Sequence, residues 1–535
     1  MKNLSRRGEP YIWITGGALA VSLVMTLGLI LLILVNGMGV FWPSEMVKVT
    51  LKDGAVALGM VRNEETIPTP GEADAPVKHR IQLQVGNRDL YGQDFRWIDE
   101  DAIQGREIPT EAILLERREW GHFCGFLKEL RVDGTAIASG PEAVWREMVP
   151  KLALAQRLWN QLRAIEKDDM GDISRRQESL RLKVRRRQID GQPADDLEAK
   201  IAALREEFNL KSEEIKKLRA EMERSRVILT TVDGKEKDLL LAEVVRALRP
   251  NTMGFFGKSG IYAGRVWEFL WDEPRESNTE GGVFPAIFGT VMMVFIMTLA
   301  VVPLGVLAAL YLREYARQGP LVRAVRIAVN NLAGVPSIVF GVFGLGFFIY
   351  FVGGSIDRIF FPEALPSPTY GTGGILWASL TMALLTVPVV IVATEEGLAA
   401  VPRDYRNGSL ALGANKFETT WRIVLPNAMP GILTGVILAM ARAAGEVAPL
   451  MITGVIKLAP TLPVDGLFPF VHFERKFMHL GFHIYDVGFQ SPNVEAARPM
   501  VYTTTFLLLV IVVGLNLVAI TARNRLRAKL RSSTF

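Results

Sequence analysis

Six apolar runs constrain this chain more than any other feature: Tyr11 to Val40, Val283 to Leu312, Ile327 to Val352, Ile375 to Thr394, Pro430 to Ile456 and Met500 to Thr521. Each has the roughly 20 residues that a helix needs to cross hydrocarbon. Only structures that satisfy their own backbone survive there, so the runs predict about six membrane-spanning helices. The first run is much longer than the about 7–15 apolar residues of a secretory signal, and no A-x-A site follows it, so it reads as an uncleaved anchor. Lys2, Arg6 and Arg7 precede it, and Arg523, Arg525, Arg527, Lys529 and Arg531 follow the last run. The positive-inside rule then places both tails, 1–10 and 523–535, in the cytoplasm, together with Arg313 to Arg326 and the loop 395–429. Lys457, Arg475, Lys476 and Arg498 fall on the other side, spread too widely to set orientation. The net charge of +5 is concentrated in these flanks and speaks for orientation and contact with membrane lipid, not for nucleic-acid binding.

Between the first and second runs stands an outward-facing insertion, 41–282. Residues 45–140 alternate as strands do, with Val47, Val49 and Leu51, then Ile81, Leu83 and Val85, separated by Asp53-Gly54, Pro70-Gly71 and Asp133-Gly134 turn signals. Strands resume within 226–250, around Asp233-Gly234. In between, 141–225 is charged and helical, broken at Asp190-Gly191-Gln192-Pro193. The second arm carries Leu197, Ile201, Leu204, Phe208, Ile215, Leu218 and Met222 in a 3-4 alternation interrupted only by Lys211, which predicts an antiparallel coiled-coil hairpin. The basic run Arg181 to Arg187 reads as a solvated helix face. Cys124 is the only cysteine, so no intrachain disulfide forms. Gly257-Lys258-Ser259 ends like a phosphate-binding loop, but Thr252 stands where that loop needs glycine, so no nucleotide site is expected. Phe255, Phe256, Trp267, Phe269 and Trp271 are instead expected at the membrane interface.

Within the fifth run, Ala441-Arg442-Ala443-Ala444-Gly445-Glu446 places Arg442 and Glu446 one helical turn apart. Ionisable groups in hydrocarbon cost about 2.5 kcal/mol or more each and mark a solute pathway or a structural ion pair. Pro336 interrupts the third run and, with Gly334 and Ser337, lines a cavity or kinks a helix. Gly341, Gly344 and Gly346 are expected to permit close helix approach. His472, His479 and His483 lack the partners of a metal motif, so no metal site is expected. No nucleophile–base constellation is present, and neither enzymatic chemistry nor a cofactor bound by this chain is expected.

Between the fourth and fifth runs, Gly413 is followed after nine residues by Ile423-Val424-Leu425-Pro426. This resembles the E-A-A-x3-G-x9-I-x-L-P loop of importer-type ABC permeases, with Asn407, Gly408 and Ser409 where the family has Glu, Ala and Ala. Asn331 to Gly341, this loop, and Gly431 to Ala439 leading into Arg442 to Pro449 resemble the PstA-type permeases of phosphate-specific ABC importers, within the type I ABC permease family. The resemblance covers roughly residues 281 to 521. It implies an all-α permease core of about six helices over 283–522, in the bacterial inner membrane, carrying the β-rich module outside. It also implies one half of a heterodimeric pore with a second, PstC-like permease subunit, an ATP-binding cassette ATPase dimer and a periplasmic phosphate-binding protein. In that frame Gly413, Phe417, Trp421, Ile423, Leu425 and Pro426 couple to the ATPase, while Arg442, Glu446 and Ser337 line the substrate pathway. Arginine offers five fixed donors to an oxyanion, and Glu446 accepts a proton that phosphate carries and sulfate lacks. A permease for sulfate or molybdate, or a membrane-anchored envelope sensor or scaffold without transport, remain the alternatives.

Overall fold

A computed structural model describes residues 9–67, 78–491 and 494–532, so Lys2, Arg6, Arg7 and the Pro70-Gly71 signal lie outside the described residues. The chain forms two units, Val40–Gly282 and the pair of segments Met1–Gly39 and Val283–Phe535.

The Val40–Gly282 unit contains the alternating strands as two antiparallel sheets. The first joins β1 (Met46–Leu51), β2 (Val56–Ile67), β3 (Lys78–Gln84), β4 (Phe95–Asp99) and β5 (Ile103–Glu107) in the order β4-β3-β2-β1-β5. Val49, Leu51, Ile81, Leu83, Val85 and Ile98 all turn to one buried face, as period-two alternation requires. The second joins β6 (Ile113–Arg117), β7 (His122–Val132), β8 (Thr135–Ser139), β9 (Ser225–Thr230), β10 (Glu236–Leu240) and β11 (Val244–Leu248) in the order β10-β9-β7-β6-β11, with β8 on β7. Asp133 and Gly134 close the β7–β8 hairpin with φ of 50° and 78°, the double left-handed turn that Asp-Gly tolerates.

From this unit a long helix, Pro141–Ile189, interrupted only by a π-turn at Ile165–Asp169, returns through residues 190–194 as a second helix, Asp195–Glu223. Leu158, Leu162 and Ile165 pack with Ile215, Leu218 and Met222, so the two arms run antiparallel. Lys211, the apparent fault in the apolar pattern, reaches Asp169 at 2.8 Å, and Arg219 reaches Glu166 at 2.7 Å. The π-turn thus carries the acidic partners of the second arm. In the basic run, Arg181, Lys183, Arg185 and Arg186 are exposed, while Arg187 pairs with Asp196.

The other unit contains six helices long and apolar enough to cross a membrane: Tyr11–Gly39, Phe284–Tyr315, Ser337–Phe360, Ile375–Ala400, Lys416–Gly445 and Val494–Arg525, hereafter spans 1 to 6. Span 4 is central, with Trp377, Ala378, Met382, Leu385 and Val390 buried. Glycines set its contacts. A Cβ on Gly431 would lie 2.7 Å from the Gly397 Cα, and one on Gly435 would lie 2.3 Å from the Ala393 Cβ. Lipid tails are as apolar as leucine, so such close approach, not exclusion from water, holds the helices together.

Two spans depart from the apolar runs. Span 3 begins at Ser337, with Pro336 as its N-cap, and Pro320–Leu332 forms a separate helix. Pro336 lacks an amide hydrogen and pushes Val335 out of the helical region, so a helix cannot pass through it here. Span 5 begins earlier, at Lys416, and ends at Gly445. Glu446 is extended, at φ −77° and ψ 146°, and Ala448–Thr453 restarts as a short helix with Pro449 in its first turn. Arg442 and Glu446 therefore flank a helix end instead of sharing a helix interior.

Burial pushes the Cys124 thiol up to about 12. At mildly alkaline pH it should resist a thiol reagent in the native chain and react fully once the chain is denatured; ready labelling of the native chain would contradict the packing of β7 between β6 and β9.

Candidate functional site

The loop between spans 4 and 5 is built around one glycine. Helix Arg403–Ala411 ends at Leu412, and Gly413, at φ +89°, makes the left-handed turn that side chains resist. Asn415 then caps the next helix, accepting from the Glu418 amide, while Glu418 accepts from the Asn415 amide at 3.0 Å. This capping box starts a helix that continues through a π-turn at Thr420–Val424 straight into span 5. The helix that follows Gly413 is thus the first turn of the span itself.

Phe417 and Trp421 are exposed and stacked, with centroids 6.1 Å apart. Leu412, 91% exposed at the turn, extends this apolar surface and was not singled out by the sequence pattern. Ile423, Leu425 and Pro426 are half-buried, and Val424 between them is fully buried. These residues seat the start of the span, whereas Leu412, Phe417 and Trp421 form the accessible face. Arg406 fastens the loop, donating to the Leu398 and Val401 carbonyls and pairing with Glu314 of span 2 at 2.8 Å. Arg326 likewise pairs with Glu395 at 3.0 Å. Charge patterning along the helices gave no sign of these long-range partners.

At the other end of span 5, the Arg442 Nε lies 3.6 Å from Glu446 Oε1, beyond hydrogen-bonding distance. About a third of the Arg442 side chain is accessible. Among the described residues its guanidinium makes no hydrogen bond, so its donors are loosely balanced by one carboxylate and otherwise open. Among the described residues Ser337 makes no hydrogen bond to either of them. One turn beyond Ser337, Gly341 packs on Pro449, where a Cβ would meet the Pro449 Cα at 2.7 Å. Gly344 packs as closely on Thr381, but Gly346 faces open space. The expected role of close approach therefore holds for Gly341 and Gly344 and not for Gly346.

The three histidines do not converge. His472 bonds Asp465 at 3.0 Å, while His479 Nδ1 accepts from the Gly481 amide. Burial pushes His479 down to about 3 and His483 down to about 4, so both are neutral at physiological pH. Among the described residues no group of three potential metal ligands occurs.

The chain is similar in sequence to one family model and, among other proteins, to three transport permeases. The model, described as binding-protein-dependent transport system inner membrane component, matches residues 301–532. A probable phosphate transport system permease protein PstA of Methanocaldococcus jannaschii is 33% identical over 221 residues, covering 41% of this chain and 67% of that protein. A probable ABC transporter permease protein YqgI of Bacillus subtilis is 28% identical over 264 residues, 48% of this chain and 83% of that one. The phosphate transport system permease protein PstA of Mycobacterium leprae is 39% identical over 172 residues, 32% of this chain and 51% of that protein, so the match spans only about half of its length.

Gly341→Ala should destabilise the membrane unit by about 1–3 kcal/mol, because the new methyl meets backbone that cannot yield. Gly346→Ala should change stability by less than about 0.5 kcal/mol. Thermal unfolding of the two variants in detergent checks the difference.

Proposed function

The chain belongs to the inner-membrane components of binding-protein-dependent transport systems, and from that premise we propose that it is one permease half of an ATP-driven importer of inorganic phosphate. It is a multi-pass transport subunit, not an enzyme. ATP is hydrolysed on a separate ATPase dimer that docks on Leu412, Phe417 and Trp421, around Gly413. A second, PstC-like permease completes the pathway, and a periplasmic phosphate-binding protein delivers the anion from the opposite face. Both termini lie in the cytoplasm, no cofactor is bound, and the paired arms Pro141–Ile189 and Asp195–Glu223 form a coiled-coil stalk.

The observation that carries this reading is the open guanidinium of Arg442 beside Glu446. An oxyanion leaving water needs fixed donors, and arginine supplies them without risk of deprotonation. A bare carboxylate repels an anion, but phosphate at neutral pH bears hydroxyl hydrogens whose hydrogen bonds Glu446 accepts. Sulfate bears none and would meet bare repulsion. Ser337, on the face of span 3 that packs toward Pro449, adds a hydroxyl that both donates and accepts. Alternating access then exposes this region to one side of the membrane and afterwards to the other.

Arg442→Ala should leave assembly with the ATPase intact and lower phosphate uptake by about 10- to 100-fold, the loss expected for one charge-assisted hydrogen bond of about 1.5–3 kcal/mol. Normal uptake would remove Arg442 from the pathway. In the reconstituted importer, phosphate and not sulfate should stimulate ATP hydrolysis, and Glu446→Gln should narrow that preference; equal stimulation by sulfate would favour a general oxyanion permease. Leu412→Glu should abolish co-purification of the ATPase, an outcome independent of which anion is carried.

A further inference from the structure

The helix Phe255–Trp271 is inverted relative to a helix on the surface of a soluble domain. Its charges point inward. Lys258 is buried and pairs with Glu45 at 3.2 Å. Arg265 donates through Nε to Glu116 at 3.0 Å and through Nη1 to the Phe41 carbonyl at 3.0 Å. Glu268 accepts from Arg246 at 2.8 Å and from Arg275 at 2.6 Å. The exposed positions carry no charge: Phe255, Phe256, Trp267 and Trp271 toward the ends, with Gly257, Gly260, Ala263 and Gly264 between them. Phe256 is 90% exposed. Phe269, expected from the sequence to join this surface, is instead buried against Phe41, centroids 5.5 Å apart.

Burying paired charges costs desolvation, and exposing large aromatic rings to water forfeits hydrophobic burial. A helix that does both suits a surrounding medium less polar than its own ion-pair layer. The covalent chain indicates which medium. Trp42 stacks on Phe255 and Tyr262, with centroids 5.8 and 6.1 Å away. It stands three residues beyond Gly39, where span 1 ends. Three residues reach at most about 11 Å, and the headgroup layer on each side of the hydrocarbon is itself about 5–8 Å deep. From Trp271 the chain runs to Phe284, where span 2 begins. In sequence, therefore, the end of span 1 and the start of span 2 both lie close to groups on or against this helix, and tryptophan is a side chain favoured at membrane interfaces.

We propose that Phe255–Trp271 lies in the lipid headgroup layer on the side of the insertion, with Phe255, Phe256, Trp267 and Trp271 among the lipids, and so seats the insertion on the bilayer. The outward face lacks lysine and arginine, so the attachment rests on apolar and aromatic contact. It is indifferent to anionic lipid and to salt, unlike a polybasic anchor. This inference stands apart from the identity of the transported solute.

Nitroxide labels test it in the full chain, reconstituted in phosphatidylcholine vesicles. Phe256→Cys and Trp267→Cys serve as probes, and Lys217→Cys on the exposed second arm serves as the aqueous reference. Labelling at one nitroxide per chain confirms that Cys124 stays buried and the unit remains folded. At Phe256→Cys and Trp267→Cys, oxygen should relax the label severalfold more effectively than a water-soluble nickel chelate, with the reverse at Lys217→Cys. That contrast should persist at high salt and when phosphatidylglycerol is added. Nickel accessibility equal to that of the reference would overturn the proposal by showing a wet face. Exclusion of both reagents would also overturn it, showing a protein helix packed over Gly260 and Gly264. Dependence on phosphatidylglycerol or on low salt would overturn the charge-free mode of attachment.

Discussion

A charge beside hydrocarbon has to be answered by a partner, by water or by a ligand, and this chain is organised by how each of its charges is answered. In the Val40–Gly282 unit two buried charges, Glu116 and Arg117, are answered in full. Buried Glu116 would be pushed up by desolvation, yet Arg265 and Arg246 hold its carboxyl below the ordinary range. Arg117, 2% exposed, is forked onto Asp89 and capped by the Trp120 and Gly121 carbonyls. At the end of span 5 the answer is partial: one carboxylate at 3.6 Å and open donors elsewhere. Networks that are closed specify structure, whereas an arginine left half-answered is available to something that arrives.

The spans solve a different problem. With no water to expel, their cohesion depends on how nearly two backbones can touch. Gly397 against Gly431, Gly435 against Ala393, Gly305 against Val390 and Gly341 against Pro449 lie along the seams between helices. Span 4 lies at the centre because two of these seams run along it on the span 5 side and one on the span 2 side. The residues proposed for the pathway lie close in sequence to these contacts: Ser337 one turn before a seam glycine, Arg442 and Glu446 ahead of Pro449. Their positions depend on contacts made by residues with no side-chain chemistry of their own.

Much of this was legible in the residues, and the failures have physical causes. Long apolar runs identify spans because nothing else tolerates hydrocarbon, but they do not mark ends. Hydropathy passes smoothly through Val335-Pro336 and through Gly445-Glu446-Val447, where the backbone stops being helical. The 3-4 pattern falls within the helix Asp195–Glu223, and Lys211 looked like a fault only because its partner, Asp169, lies 42 residues earlier in a π-turn that no periodicity announces. In Phe255–Trp271 the aromatic composition was readable, but which residues face outward was not. Phe269 and Trp267 are chemically alike, and only the positions of Glu116, Arg246 and Arg275 decide which face is inside. Arg406–Glu314 escaped notice for the same reason, since a pair 92 residues apart leaves no local trace.

One continuous helix connects the two halves of the candidate site. Lys416 to Gly445 is 30 residues, about 45 Å at 1.5 Å per residue. Phe417 and Trp421 stand in its first turns and Arg442 in its last. Its irregularities, the π-turn at Thr420–Val424 and the prolines at 426 and 430, all lie in the half nearest the loop. Beyond Pro430 the backbone is unbroken, and Gly431 and Gly435 hold it against span 4. Under the proposed function, a push on Phe417 and Trp421 bends the helix where it is already irregular, and the remainder turns as a rod about the glycine contacts. The far end of that rod carries the guanidinium, while Glu446, past the helix break, stays with the segment held by Pro449. Motion of the rod therefore changes the distance between Arg442 and Glu446, which is the quantity that decides whether the arginine is answered from within the protein or by an anion.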